Sequence, residues 1–120
     1  MLYQDQFWVG QDGYVHPLAE MHQEYRLNVL AYLERHAERL AHQRDRYIRS
    51  AGVWRDGRPR VFPSPADWIV STPFVIALRA HIAVAEAIDG EVVSVTLDDD
   101  VRQVAARLLL ERHGSGDDGR

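Results

Sequence analysis

The chain of 120 residues contains neither cysteine nor lysine. Without cysteine it has no disulfides, thiolate metal sites or cysteine nucleophiles, a composition that suits a reducing compartment. We therefore predict a cytoplasmic protein. All 14 basic residues are arginine, which we interpret first as the result of GC-rich coding. Selection for the planar guanidinium in phosphate or carboxylate recognition is the alternative.

Long hydrophobic runs and secretion signals are also missing. The first residues carry acids and no basic region before an apolar run, unlike a secretory signal. The longest apolar run, Phe74 to Ile88, is interrupted by Arg79, His81 and Glu86 and is too short to span a bilayer. We expect a soluble protein without membrane contact. The length suits one domain, predicted over residues 1–113, followed by a polar tail, residues 114–120, predicted to be disordered.

One long helical pattern dominates what is present. From Pro17 to about Ser50, apolar side chains recur on one face and charged ones on the opposite face, which predicts a single amphipathic helix. The apolar face consists of Leu18, Met21, Tyr25, Val29, Leu33, Leu40 and Tyr47.

A β-hairpin is predicted before this helix, because Phe7-Trp8-Val9 and Tyr14-Val15-His16 flank a glycine-containing turn. After it, Ser64 is a predicted cap for a short helix that carries Trp68. A kink at Thr72-Pro73 then leads into a central helix, Pro73 to Asp89, ended by Gly90.

The central helix is apolar almost all round, with Arg79 and Glu86 on a narrow polar strip. Val92 to Thr96 is a possible short strand, and Thr96 or Asp99 a possible cap for a last amphipathic helix. The predicted inward side of that helix is Val101, Val104, Ala105, Leu108 and Leu109. The fold class predicted is mainly α, α+β at the margin.

Catalytic and metal motifs are weak in this chain. His22 and His36 share the apolar side of the long helix, but a separation of about 21 Å prevents them from binding one ion. Ser64 and Ser71 are explained as helix starts, and the glycines match no phosphate-binding fingerprint. We therefore predict no enzyme activity, no metal and no cofactor.

Positive charge is concentrated between Arg35 and Arg60, a stretch that contains eight arginines and three acidic residues. That stretch carries +5 in a chain of net charge −4, so the rest carries −9. A solvated helix end, a contact with an acidic protein surface and a contact with nucleic acid all remain open. The candidate binding residues are Arg44, Arg46, Arg49, Trp54, Arg55, Arg58 and Arg60.

Two segments carry a resemblance to known proteins. The first runs from Asp12-Gly13 through Pro17–Met21 and Tyr25 to Asn28, Leu33, Glu34 and Arg35, and the second is Trp68–Phe74 with Leu78 downstream. They resemble a pattern in small tailed-phage and prophage proteins, in which a hairpin with a D-G turn leads into a helix. The resemblance covers about a third of the chain and implies a phage-type accessory protein without a defined mechanism. Tyr25 stands where that pattern usually has histidine.

The sequence thus predicts a non-enzymatic interaction module, of the phage accessory type, that binds a host or phage protein. The alternative is a nucleic-acid-associated protein that uses the Arg-rich segment 44–60. Self-association into a homo-oligomer is also predicted. The central helix is apolar on every side, and three helices and a hairpin supply little surface to bury it.

A salt titration separates the two functions. If the Arg-rich segment contacts phosphates, the log-log slope of affinity against salt grows by roughly 0.7 to 0.9 per phosphate neutralised. Replacing Arg55, Arg58 and Arg60 with glutamine then flattens the slope. We expect no appreciable binding to a labelled oligonucleotide at moderate salt, measured by fluorescence anisotropy. A micromolar, salt-sensitive complex would reverse the order of the two functions.

Overall fold

The computed structural model describes residues 2–50 and 64–117, with side chains described for 2–48 and 64–112. This part is mainly α-helical. Its two strands are β1 (Phe7–Val9) and β2 (Val15–Pro17), and a 3-10 turn follows at Leu18–Glu20. The α-helices are α1 (Gln23–Arg35), α2 (Ala37–Ser50), α3 (Pro65–Ser71), α4 (Pro73–Ile88) and α5 (Asp99–Asp117).

The predicted hairpin is confirmed. Its strands are antiparallel, with Trp8 opposite His16, and the turn closes with a hydrogen bond from Gly10 N–H to the Tyr14 carbonyl at 3.1 Å. Gly13 has a φ of +81°, a left-handed conformation in which a side chain is strained. The second strand includes Pro17, so the helix predicted to begin at that residue starts later.

The prediction of one continuous helix to Ser50 is wrong. The chain forms the 3-10 turn, α1 and α2 instead, with His36 (φ −104°, ψ 16°) between the two helices. At the start, the buried Arg26 side chain donates hydrogen bonds to the carbonyls of Leu18 and Ala19 at 2.7 to 3.1 Å. It thereby takes acceptors that a continuous helix would use for its own backbone. The two helices on either side of the break have different main partners, because α1 packs on α4 and α2 packs on α3.

The apolar face of the long pattern is buried for most of its length. Leu18, Met21, Val29 and Leu33 all lie in the core. Tyr25 and Leu40 are partly buried, and Tyr47 is exposed over 71 % of its surface.

The short helix and the kink after it are confirmed. Ser64 caps α3 by accepting a hydrogen bond from the Asp67 N–H at 3.3 Å. Thr72, which is buried, ends α3 by donating its hydroxyl to the Ile69 carbonyl at 2.7 Å. The axes of α3 and α4 differ by 68°. Within the described residues, each helix taken singly is too short or too polar to cross a bilayer; α3 and α4 together pass by length and composition, as a bent pair.

The central helix is buried, as predicted. Phe74, Leu78 and Ile82 are inaccessible to solvent, and α1, α3, α5 and the 3-10 turn pack around them. Other elements of the same chain thus cover α4, the helix whose apolar circumference led to the prediction of self-association. The homo-oligomer stays a prediction.

The polar strip of α4 is buried too, which the sequence did not indicate. Arg79 forms an ion pair with Asp98 at 3.2 Å and donates to the Thr96 carbonyl at 2.7 Å. Glu86 accepts hydrogen bonds from the backbone N–H and the hydroxyl of Ser94. These bonds hold residues 91–98 on α4 as an irregular segment. The possible strand at Val92 to Thr96 is therefore wrong, because side chains of α4 take backbone groups that a strand would pair.

The last helix is confirmed, but the residue that caps it differs from the two predicted ones. Asp98, rather than Thr96 or Asp99, accepts the Val101 N–H at 3.0 Å. Val101 is buried, but Leu109 is 40 % exposed and so is not inward. The α5 backbone continues to Asp117. The boundary between domain and tail at residue 113 stays a prediction. Residues 118–120 lie outside the described residues.

Replacing Leu78 with aspartate tests the burial of α4. We expect Leu78→Asp to destabilise the fold by at least about 4 kcal/mol, because an unpaired charge would lie in the core. The matched control is Leu110→Asp on α5, where 71 % of the side chain is exposed, with an expected change below about 0.5 kcal/mol. Urea unfolding measures both. Equal midpoints for the two variants would contradict the burial of α4.

His81 gives the stability a pH dependence. Burial, reinforced by the Arg26 charge and opposed by Asp5, lowers the pKa of His81 from 6.5 to about 4. Between these values the unfolded chain binds more protons, so this contribution to stability is complete above pH 6.5 and is lost as the pH falls towards 4. Between pH 7 and pH 5, we expect the wild-type protein to lose roughly 1 kcal/mol more of its free energy of unfolding than His81→Gln does. This figure allows for the partial exposure of His81. Urea unfolding at the two pH values measures it; an equal loss in both proteins would contradict the assignment.

Candidate functional site

A long groove lies between the hairpin, α1, α2 and α3. Its volume is about 1090 Å³, and aromatic side chains supply much of its wall. These are Tyr3, Trp8, Tyr25, Tyr32, Tyr47 and Trp68. We call this site the aromatic groove.

The floor of the aromatic groove is a chain of ring contacts. Trp8 of β1 packs edge-on against Tyr32 of α1, with ring centroids 6.3 Å apart, and against the buried Phe74 at 5.6 Å. The ring of Tyr32 in turn lies 4.5 Å from that of His36. Trp8 contacts the core residue Phe74 and also lines the groove. The packing of the hairpin on α1 through this ring therefore fixes the position of the floor.

The hairpin end of the groove is compact and carries a carboxylate. A side chain at Gly10 would place Cβ 2.8 Å from Asp12 Oδ1 and 3.3 Å from the Tyr25 hydroxyl, so glycine permits this approach. Asp12 Oδ1 also accepts the Tyr14 N–H at 2.9 Å and lies 3.9 Å from His16 Nε2. The turn therefore fixes the carboxylate at the rim.

The α2 side of the groove carries two arginines. Arg39 is exposed, donates to the Tyr32 hydroxyl at 2.7 Å and lies 6.0 Å from the centre of that ring. Arg44 lies 4.5 Å from the ring centre of Trp68 and pairs with Asp45 at 2.9 Å. The aromatic surface is thus bounded by cations on this side, in an arrangement stabilised by cation–π attraction.

The structure describes only part of the predicted binding segment. Arg44 lines the groove, half-buried, whereas Arg46 is exposed on α2 and does not line it. Arg49 belongs to α2, but its side chain is not among those described. The other predicted residues, which lie outside the described residues, are Trp54, Arg55, Arg58 and Arg60. The function assigned to this segment stays a prediction.

Most residues of the groove were not singled out from the sequence. Trp8 and Tyr32 are separated by 24 positions, and only the packing of the hairpin on α1 brings their rings together. Tyr25 was assigned to the apolar face of the predicted long helix, whereas Tyr32, two helical turns further on, was not singled out. Arg39 was counted within the charged stretch, and its hydrogen bond to the Tyr32 hydroxyl was not predicted.

The groove presents groups for apolar contact and for hydrogen bonding. Groups of three or more metal-ligating side chains are absent from residues 2–50 and 64–117. The groove offers aromatic faces, the amides of Gln11, Asn28 and Gln43, one carboxylate and two guanidinium groups. These groups recognise apolar surfaces and polar backbone groups by contact and hydrogen bonding.

Comparison of the chain with protein-family models, with curated proteins and with solved structures gives no match.

Proposed function

We propose that this protein is a non-enzymatic interaction module that binds a segment of a partner protein in the aromatic groove. The observation that carries the proposal is the size and lining of the groove. Its volume of about 1090 Å³ lies at the upper limit of small-molecule pockets, roughly 300 to 1,000 Å³. Several residues of a polypeptide would fill this space.

The residue types of the lining support a protein partner. Tyrosine, tryptophan and arginine are enriched where protein interfaces carry most of their binding energy. Here Tyr32 contacts both Trp8 and Arg39. A preformed aromatic surface lowers the entropic cost of binding, because its side chains are already ordered.

The source of the partner is proposed from the sequence. The resemblance of residues 12–35 and 68–74 to small tailed-phage proteins supports an accessory role in which the partner is a phage or host protein. Trp68 and Tyr25, which belong to the two resembling segments, both line the groove.

Nucleic acid is the second candidate. Arg46 is exposed on α2, and Arg39 lies beside the Tyr32 ring, a combination that suits contacts with phosphates and bases. We rank it below a protein partner because Asp12 lies at the rim of the groove and the chain outside 35–60 carries −9, both of which repel phosphate.

Selection from a displayed random-peptide library tests the proposal. The wild-type protein is expected to enrich groove-binding peptides. The blocking variant is Gln43→Phe, since Gln43 is exposed on α2 and lines the groove. We expect it to weaken binding of the enriched peptides at least about tenfold, because its ring occupies their space.

The matched control is His42→Phe, an exposed neighbour of Gln43 that does not line the groove. It adds the same side chain one position away on α2, and we expect it to leave binding unchanged. Circular dichroism and a thermal melt establish that both variants are folded. Enrichment that is equal for wild type and Gln43→Phe, or no enrichment, would contradict the proposed function.

A further inference from the structure

We infer that the partner segment in the aromatic groove is a β-strand that pairs with the backbone of Val9 and adds a third strand to the hairpin. This assignment rests on the proposed function and adds the conformation of the bound segment. It is carried by the hydrogen-bond register of the hairpin, by the position of Val9 in the groove, and by the groups at the other edge positions.

The register of the hairpin determines which backbone groups point outward. The Gly10 N–H donates to the Tyr14 carbonyl at 3.1 Å, so residues 10 and 14 form a hydrogen-bonded pair. Hydrogen-bonded and non-hydrogen-bonded pairs alternate along an antiparallel ladder. The next hydrogen-bonded pair is thus Trp8 with His16. The N–H and the carbonyl of Val9, which lies between these two pairs on β1, therefore point away from β2.

Val9 meets the groove along this outer edge. Successive side chains of a strand point to opposite faces. The Trp8 side chain faces α1, where its ring centroid lies 6.3 Å from that of Tyr32, so the Val9 side chain is on the opposite face of the hairpin. Val9 nevertheless lines the groove. Its outward N–H and carbonyl, which lie between the two faces, are thus placed at the groove wall.

The other outward positions of β1 and β2 are blocked or lie outside the groove. The Gln4 side chain donates to the Phe7 carbonyl at 2.6 Å and accepts the Phe7 N–H at 3.0 Å. Pro17, opposite Phe7 on β2, has no N–H to donate. Val15 is opposite Val9, on the far edge, and does not line the groove. A side chain or a proline at a sheet edge prevents pairing with another chain. Of these four positions, Val9 is the one that presents a donor and an acceptor to the groove.

A strand on this edge would extend the sheet into the groove. Neighbouring strands lie about 4.8 Å apart, and a two-stranded hairpin is only marginally stable by itself, so a third strand adds to its stability. The partner residue opposite Val9 would turn its side chain away from α1, as Val9 does. The residues before and after it would turn theirs towards α1, where Tyr32 lies. We therefore expect a partner segment with alternating polar and apolar residues, held by its backbone at Val9.

Two proline substitutions test the backbone contact. Val9→Pro removes the outward N–H and leaves the ladder intact, because that N–H takes no part in it. The probe is the peptide most enriched from the displayed library, resynthesised with a dye, and fluorescence anisotropy measures its affinity for the full chain. We expect Val9→Pro to weaken binding at least about fivefold, the usual contribution of one hydrogen bond.

The matched control is Val15→Pro, which makes the same change at the opposite position of the ladder. Its lost N–H points to the far edge, so we expect unchanged affinity. Circular dichroism and a thermal melt establish that both variants are folded. Equal affinities of the two folded variants for the peptide would overturn the pairing at Val9.

Methylation of the peptide backbone tests the same pairing on the wild-type protein. An N-methyl group on the residue opposite Val9 removes the N–H that its carbonyl would accept. On the residue before or after, the methyl group points away from β1. We expect a scan of single N-methyl residues to lower affinity at least about fivefold at one residue and to change it little at the two neighbours. A scan without such a contrast would contradict a bound strand.

Amide hydrogen exchange of the wild-type protein, followed by NMR, locates the contact. Saturation with the peptide should slow exchange of the Val9 amide at least about tenfold and leave the Val15 amide unchanged. Unchanged exchange at Val9, with a peptide that Gln43→Phe excludes, would overturn the strand and leave the proposed function intact. Slow exchange at Val9 without peptide that depends on protein concentration would assign the edge to a second copy of this chain and overturn the partner strand. The absence of any peptide that distinguishes wild type from Gln43→Phe would overturn both the strand and the proposed function.

Discussion

The burial of α4 determines where the other elements lie. Its side chains are apolar around nearly the whole circumference, so water must be excluded from every side of it. The 3-10 turn, α1, α3 and α5 do this together, although they come from both halves of the sequence. Phe74 extends the arrangement to the hairpin by its contact with Trp8. The position of the groove floor is thus a consequence of how the core is covered.

Three buried charged side chains fix how the covering segments attach. Arg26 holds the carbonyls at the end of the 3-10 turn, while Arg79 and Glu86 hold residues 91–98 against α4. Removing these groups from water costs several kcal/mol each unless hydrogen bonds compensate. Each of the three has such partners, so the bonds contribute more to defining the path of the chain than to net stability.

Local patterns predicted the elements better than their connections. The hairpin, the cap at Ser64, the kink at Thr72 and the apolar helix after it all follow from residues within a few positions of one another. The break at His36 does not, because it accompanies the change from packing on α4 to packing on α3, which are distant in sequence. The burial of Arg26 does not either, because the carbonyls of Leu18 and Ala19 come within its reach only where the chain forms the 3-10 turn. The same holds for Glu86, whose partner Ser94 can be recognised only once residues 91–98 lie on α4.

The groove was hidden from sequence reasoning for a related physical reason. An aromatic residue on the apolar face of a helix is normally assigned to the core, since burial is its commonest state. Here the two-stranded hairpin is too small to cover α1 and the start of α2 completely. It contacts α1 through Trp8 on Tyr32 and through His16 on Tyr25, and Tyr25, Tyr32 and Tyr47 line the groove. Apolar surface that the described part of the chain leaves in a concave shape is stabilised further when a segment covers it. The break at His36 contributes to this shape, because it directs α2 towards α3 and brings Arg44 onto Trp68 at the end opposite the hairpin.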